Sequence, residues 1–475
     1  MALTRRAFLG SSAATAAMAM TGCNPLTQPE GDAMTNGGAR KRPNVVLIMA
    51  DDMGYSDIGP MGGTIHTPSL ARLAQGGITY TGFYNSARCC PARAALLTGL
   101  YPHQAGMGWQ TALNMGIDGY EGSLNRQCRT IAEVLKPAGY SAYASGKWHV
   151  SRNDPGMPDA RPLARGFDRF FGMIGGAGSY WDPKSARLDT EPAEVDPDTF
   201  YYTDAISDHA CRFIDEHRQK TPDKPFFTYV AYTAPHWPLH AKREDIERYR
   251  GKFTDGWDTL RNEKYERMRA MKLLDPAWGL SDRDPQVPPW ADLPGDKRDE
   301  FDLRMAIYAA QVDCMDQGIG RILECLERNG VGDDTLVLFL SDNGGCHEEI
   351  HWRPPPLEKF GTEESFESYG RPWANYSNAP FREFKSWVHE GGIATPLIAH
   401  WPNGITSPGS MNRHPGHITD IMPTLCELAE ATYPAGGEDE VHEMVGRSLA
   451  PTFTGGDHGG RPIFWEHEGN RALRM

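Results

Sequence analysis

Two pairs of oxygen-bearing residues stand directly after apolar runs: Asp51 and Asp52 close "NVVLIMADDMG", and Asp342 and Asn343 close "TLVLFLSDNGG". Two further runs end in basic residues: Lys147 and His149 in "SAYASGKWH", and His236 in "FFTYVAYTAPHWP", with His240 close behind. One such Asp-Asp or Asp-Asn pair is an ordinary turn signal. Two pairs ending two strands, with Lys and His ending two more, point instead to a ligand site beyond the carboxyl edge of an open sheet. Asp51, Asp52, Asp342 and Asn343 form an all-oxygen donor set that suits a hard cation, and a roomy, flexible site favours Ca²⁺ over Mg²⁺.

A thiol pair belongs to the same picture. In "NSARCCPARAALLTGLYPHQAG", residues 85–106, Pro91 at a first helical position and Gly99 at a stop predict a short helix over 91–98. Cys89 then lies just before the helix, where free N–H groups and the dipole favour an anion. Arg93, four residues on, can point back toward that spot.

The elements that must position these groups alternate in type. The apolar runs at 44–50, 141–145, 226–232, 335–341 and 395–401 are continuous, as in strands buried on both faces. Amphipathic runs lie between them ("SLARLAQGG", "RTIAEVLKPAG", "SDHACRFIDEH", "IYAAQVDCMDQGIGRILECLERNG", "ITDIMPTLCELAE"), several ending in Gly. The pattern predicts an α/β fold with a large, mainly parallel sheet sandwiched by helices. Residues 241–300, rich in charge, Trp and Pro, read as an inserted helical and loop excursion over the active face. Residues 347–380 read as a long active-site loop.

The chain has 475 residues, with 48 Lys and Arg against 62 Asp and Glu, a formal charge of −14. Such a balance disfavours nucleic-acid binding and requires any positive charge for an anionic substrate to be gathered in one pocket. At the N-terminus, Arg5 and Arg6 precede a short, weakly apolar run that is too mild for a membrane span and fits a twin-arginine export signal over 1–23. The run ends in "AMTGC", a lipoprotein-like box that would make Cys23 a lipidated membrane tether. Residues 24–42 then read as a polar linker. The expected location is periplasmic or at the cell surface. Nine cysteines in a chain of this size do not make a disulfide scaffold, and Cys314 and Cys325 read as buried apolar positions on a helix.

"CCPARAALLTG" resembles the C-x-P-x-R signature of type I, formylglycine-dependent sulfatases of the alkaline phosphatase superfamily. "ADDMGYSDIG", "GKWH", "APHWPLHA", "SDNGG" and "FREFKSWVHEGGIATP" follow in the family's order, and "GRPWANYSNAPFREFKSWVHEGG" and "RPIFWEHEGNRA" are similar to its bacterial arylsulfatase branch. The resemblance covers roughly residues 43–470 and implies a sulfatase domain over 43–460. It also implies that Cys89 is oxidised to formylglycine by a maturation enzyme, and that its hydrated form is the nucleophile. Asp51, Asp52, Asp342, Asn343 and the oxidised Cys89 would hold Ca²⁺. Arg93 and Lys147 would orient the formylglycine, and His149 would take the proton that releases sulfate. His236 and Lys385 would bind the sulfate and protonate the departing oxygen. Cys90, at the variable position, is expected to be dispensable, and Ala92 stands where Ser is more frequent. Such sulfatases continue past "WEHEGNRALRM" into a small subdomain with its own antiparallel sheet, so residues 461–475 are expected to be its truncated start.

The residue chemistry agrees with these roles. Cleaving a sulfate ester needs a nucleophile, positive charge around the equatorial oxygens and an acid for the leaving group. A gem-diol can expel sulfate by reforming the aldehyde, whereas a serine would be left as a stable sulfate ester. The substrate class is then a sulfated glycan or small molecule. Two alternatives stay open: a phosphodiester or phosphonate monoester hydrolase with the same centre, and an inactive binder of sulfated glycans in which Cys89 keeps its thiol. His103 and His389 read as structural or rim histidines, and His400 as a satisfied buried one. Trp237, Trp352 and Trp373 could stack on a substrate ring or fill the loop core.

Overall fold

The computed structural model describes residues 42–475 except 153–157, 197 and 351–354. The signal with Cys23, the linker up to residue 41 and Trp352 lie outside the described residues.

The strands are β1 (Asn44–Ala50), β2 (Ile78–Tyr84), β3 (Ser141–Gly146), β4 (Arg169–Met173), β5 (Ala186–Leu188), β6 (Glu191–Pro192), β7 (Phe226–Ala231), β8 (Thr335–Ser341), β9 (Ala394–His400), β10 (Ser410–Asn412), β11 (Gly416–His417), β12 (Ile463–His467) and β13 (Asn470–Arg474). One large sheet runs β10-β2-β9-β8-β1-β7-β3-β4-β5-β6, with β11 also on β2. Strands β8, β1, β7, β3 and β4 are mutually parallel. Strand β9 is antiparallel to both β8 and β2, so β2 again points the same way as β8.

Strand β1 shows why the sheet sits in the middle. All seven of its residues are buried. Val46 and Ile48 enter one core, while Val45, Leu47 and Met49 enter the other, as the two-residue period of a strand dictates. The helices Tyr202–Lys220 and Gly295–Arg328 cover the first face; Cys89–Thr98, Ile131–Leu135 and Ile421–Ala429 cover the second. Each is amphipathic or apolar because it closes a core that the sheet alone leaves open.

Several sequence expectations shift. Strand β2, "ITYTGFY", alternates aromatic residues with Thr and Gly and has no continuous apolar run. Pairing with β9, from Ile78 opposite Ala399 onward, is what makes it a strand. The helix after the thiol pair starts at Cys89, with Arg88 as its cap, not at Pro91. Proline is tolerated anywhere in a first turn, where N–H groups have no intrahelical acceptor, so Pro91 does not mark the boundary. Gly99 ends the helix as expected, at φ 71°. His400, expected to be satisfied and buried, is only half-buried, and its Nδ1 has no partner among the described residues, because β9 ends there.

Residues 243–301 contribute the helices Arg243–Glu247 and Gly256–Ala270 and the first turns of Gly295–Arg328. Trp257 meets Trp290, Phe301 and Trp373 edge-on, so Trp373 fills a core. Cys314 and Cys325 are buried free thiols. At the far end of the chain β12 and β13 form an antiparallel pair, tied to the main body where the Trp465 indole donates to the Asn85 carbonyl at 2.7 Å.

Gly146, the last residue of β3, has φ +116°, and a Cβ there would lie 1.9 Å from the Ala231 carbonyl oxygen of β7. The same carbonyl accepts from the Lys147 N–H at 2.8 Å, which aims Lys147 inward. Gly146→Ala is therefore expected to cost roughly 3 kcal/mol or more, through both the close approach and the backbone strain. Chemical denaturation measures it; a change under about 1 kcal/mol would show that the strand end can relax.

Candidate active site

In-register pairing assembles the acidic half of the site. Ala50 of β1 lies opposite Ser341 of β8, so the residues that follow both strands emerge side by side. The Asp342 N–H donates to the Ala50 carbonyl (3.1 Å), and the Asp52 N–H donates to Asp342 Oδ1 (3.2 Å). Asn343 Nδ2 donates to Asp52 Oδ1 at 2.7 Å.

Three cations and an imidazole, from four other segments, enter this acidic cluster. Arg93 reaches Asp342 Oδ2 through Nε (3.1 Å) and Nη2 (2.8 Å) and stands 3.6 Å from Asp51 Oδ1. Lys147, delivered by β3, donates to Asp51 Oδ2 at 2.6 Å. Lys385, from the segment leading into β9, donates to Asp52 Oδ2 at 2.9 Å and lies 3.3 Å from His236 Nε2. His236, beyond β7, is 3.5 Å from Asp52 Oδ2. All of these side chains are buried.

The thiol pair completes the cluster. Ligand atoms of Cys89, Cys90 and His149 all lie within 4.8 Å of one another, and Cys90 Sγ is 3.2 Å from His149 Nε2. Cys90 thus touches a site residue, although its position in the signature marks it as variable. Asp52, Ala87, His149 and Ser386 are non-glycine residues at positive φ (64°, 65°, 52° and 78°), each in the site or next to a residue of it. Such strain persists where the surroundings dictate a side chain's direction.

Electrostatics distinguish the members. Burial pushes the carboxyls of Asp51 and Asp342 up, Asp342 well above the usual range. Burial pushes Asp52 the same way, but Lys385 and His236 outweigh it and hold Asp52 at about 2. Burial lowers His149 and His236 to about 4 each, so both imidazoles are neutral at pH 7 and can accept protons. A hydrogen bond from Cys90, aided by Lys147 and His149, brings the Cys89 thiol well below its ordinary value despite burial. Cys89 is therefore the more acidic sulfur of the pair; burial pushes Cys90 up.

Two oxygens bear on a metal. Asp51 Oδ1 and Asn343 Oδ1 are buried and have no hydrogen-bond donor among the described residues. Orphaned lone pairs beside three carboxylates are costly unless a cation takes them, and hard oxygen donors fit a divalent ion such as Ca²⁺. Asp51, Asp52 and His236 also offer ligand atoms within 4.8 Å of one another.

Asp51, Asp52, Cys89, Arg93, Lys147, His149, His236, Asp342, Asn343 and Lys385 thus share one buried cluster. His240 is apart from it: its Nε2 bonds the Ser365 carbonyl at 2.8 Å. His103, paired with Glu466 at 2.6 Å, ties β12 to the body. Three residues at the mouth were not read from the sequence. Glu348 accepts from the Trp237 indole (2.8 Å) and from Arg88 (3.4 Å), Arg88 also binds Glu468 (2.9 Å), and His467 lies beside them. The acidic residues following "SDNGG" were the available signal for Glu348; nothing local marks Arg88 or His467.

The fold and this site define a class. The sequence model of the Sulfatase family matches residues 43–431, and the chain belongs to that family. It is an enzyme that acts as a sulfatase. It is 34% identical to an arylsulfatase of Klebsiella aerogenes over 82% of this chain and 87% of that protein. It is 33% identical to an uncharacterized sulfatase of Schizosaccharomyces pombe over 91% of this chain and 84% of that protein. Among solved structures, Ps i-CgsB in complex with k-i-k-neocarrahexaose superposes with a TM-score of 0.65 at 27% identity, covering 92% and 82% of the two chains. A phosphonate monoester hydrolase of Silicibacter pomeroyi, at 21% identity and a TM-score of 0.52, shares the fold.

Asp342→Ala is expected to lose bound divalent metal and to destabilise the protein by about 3–5 kcal/mol, because Arg93 is left buried without its main partner. Asp342→Asn keeps a neutral oxygen for both Arg93 and the ion, so it should weaken metal binding rather than abolish it, with a smaller stability cost. Metal analysis and denaturation of both variants check this; unchanged metal content in Asp342→Ala would remove Asp342 from the ligand set.

Proposed function

We propose that the protein is a formylglycine- and calcium-dependent hydrolase that releases inorganic sulfate from sulfated carbohydrates or aryl sulfates. The observation that carries this reading is the meeting of six chain segments in one buried centre, where orphaned carboxylate and amide oxygens lie among three fixed cations and an acidic Cys89.

Asp51, Asp52, Asp342 and Asn343 would hold the calcium ion, which supplies positive charge to the sulfate oxygens. Cys89, once oxidised by a maturation enzyme, supplies the nucleophilic hydroxyl as an aldehyde hydrate. Arg93 and Lys147 fix the orientation of residue 89, each already held by a buried carboxylate. His149 is neutral and within reach of residue 89, so it can hold the proton given up when sulfate leaves. Lys385 and His236 meet at Asp52, whereas Arg93 is held by Asp342; Lys385 binds sulfate oxygens, and the pair delivers a proton to the departing alcohol oxygen.

The glycan-bound neighbour and the arylsulfatase relative support both substrate classes. Arg5, Arg6 and Cys23 support export by the twin-arginine route with a lipid tether.

The reading is tested at residue 89. Mass spectrometry of the peptide holding residues 89–93 should show the thiol of Cys89 replaced by an aldehyde. Cys89→Ala should reduce sulfate ester turnover by roughly a thousandfold or more. Cys90→Ala should retain most of it, within about tenfold, because its thiol supports His149 and residue 89 without reacting. An intact Cys89 thiol in active protein would overturn the mechanism, as would an essential Cys90.

A further inference from the structure

His467 is the last residue of β12 and lies on the same strand face as Trp465, whose indole is anchored on Asn85. The hairpin is fastened on both sides of His467 to the segment that leads into Cys89, through Trp465 to the Asn85 carbonyl (2.7 Å) and through Glu468 to Arg88 (2.9 Å), and Arg88 and Cys89 are among the charges its ring feels. The side chain is 1% exposed, yet neither Nδ1 nor Nε2 has a hydrogen-bond partner among the described residues. The neighbouring Glu468 does not satisfy it, since its Oε1 is 3.9 Å away and is taken by Arg88 (2.9 Å) and the Trp109 indole (2.8 Å). A buried imidazole with both nitrogens unpaired is destabilising unless a ligand completes it.

Its surroundings are built rather than loose. Arg88 bridges Glu468 to Glu348, and Glu348 in turn holds the Trp237 indole next to His236. This bridge joins the segment before the nucleophile, the loop after β8 and the β12–β13 hairpin. None of its members has a role in holding sulfate. The cations assigned to sulfate and to residue 89, Lys385, Lys147 and Arg93, are more deeply buried than Arg88 and already organised by carboxylates. With the sulfate assigned to those deeper groups, the alcohol part of the ester is the portion of the substrate left for His467.

We infer that His467 is a specificity residue that hydrogen-bonds a hydroxyl adjacent to the ester oxygen in the leaving group, held in place by the Glu348–Arg88–Glu468 bridge. The inference rests on the sulfate ester reading above. It selects esters of vicinal diols, as in sugars and catechols, over esters lacking a neighbouring hydroxyl.

The test uses Cys89→Ala protein with Ca²⁺ present, so that binding is measured without turnover. Calorimetry compares 4-nitrocatechol sulfate, 4-nitrophenyl sulfate and inorganic sulfate. Adding His467→Ala should weaken 4-nitrocatechol sulfate about tenfold, the scale of one hydrogen bond left unmade, and should change the other two less than about threefold. Adding His467→Gln instead should recover part of the loss, and its melting temperature guards against a folding defect in the alanine variant. Equal weakening of all three ligands, or no change for 4-nitrocatechol sulfate with either variant, would overturn the assignment. The hydrolase reading fails separately: converted wild-type enzyme that releases no sulfate from either ester would contradict it, while the binding pattern would still stand or fall by itself.

Discussion

The structure depends on a parallel, in-register pairing of two buried strands. Because Ala50 sits opposite Ser341, the acidic and amide residues that follow β1 and β8 are forced into one small volume away from water. Three carboxylates there would repel one another severely if nothing answered them. Arg93, Lys147 and Lys385 answer in part, one per carboxylate, through contacts of 2.6–2.9 Å. The remaining oxygens, on Asp51 and Asn343, have no donor among the described residues and are of the hard type that a divalent cation takes.

That charge arrangement also explains how an acidic protein handles an acidic substrate. The chain as a whole is negative by 14, yet positive charge is concentrated where the strands end. Each cation is fixed by a carboxylate, so no reorganisation is required when sulfate enters, which is the condition under which electrostatic stabilisation is most effective. The neutral histidines do a different job. Burial lowers both to about 4, leaving each neutral at pH 7, His149 beside the thiol pair and His236 beside Lys385 and Asp52. Cys90 extends this logic: its hydrogen bond is the largest influence making Cys89, rather than itself, the acidic thiol.

Much of this was legible because buried parallel strands and their polar exits leave a strong local trace. The runs ending in Asp51–Asp52, Asp342–Asn343, Lys147 and His236 needed only the two-sided burial of β1, β8, β3 and β7 to be read. Strand β2 left no such trace. Its alternating "ITYTGFY" is stabilised by an antiparallel neighbour more than 300 residues away in sequence, and it is this strand that carries the chain to Cys89. The helix boundary at Cys89 was obscured for a related reason, since proline is acceptable at any position of a first turn. Lys385 could be placed only by resemblance, because no apolar run precedes it. Arg88, Glu348 and His467 come together through tertiary contacts between segments more than 100 residues apart, which no local pattern encodes.

The most direct measurement is a long-wavelength anomalous difference map from crystals of the mature protein grown with calcium. A single strong peak bonded to oxygens of Asp51, Asp52, Asp342 and Asn343, with oxygen in place of sulfur at residue 89, is the expected result. A map with its metal peak at the Cys89–Cys90–His149 cluster, or with the carboxylates of Asp51 and Asp342 turned away from a common ion, would contradict the account.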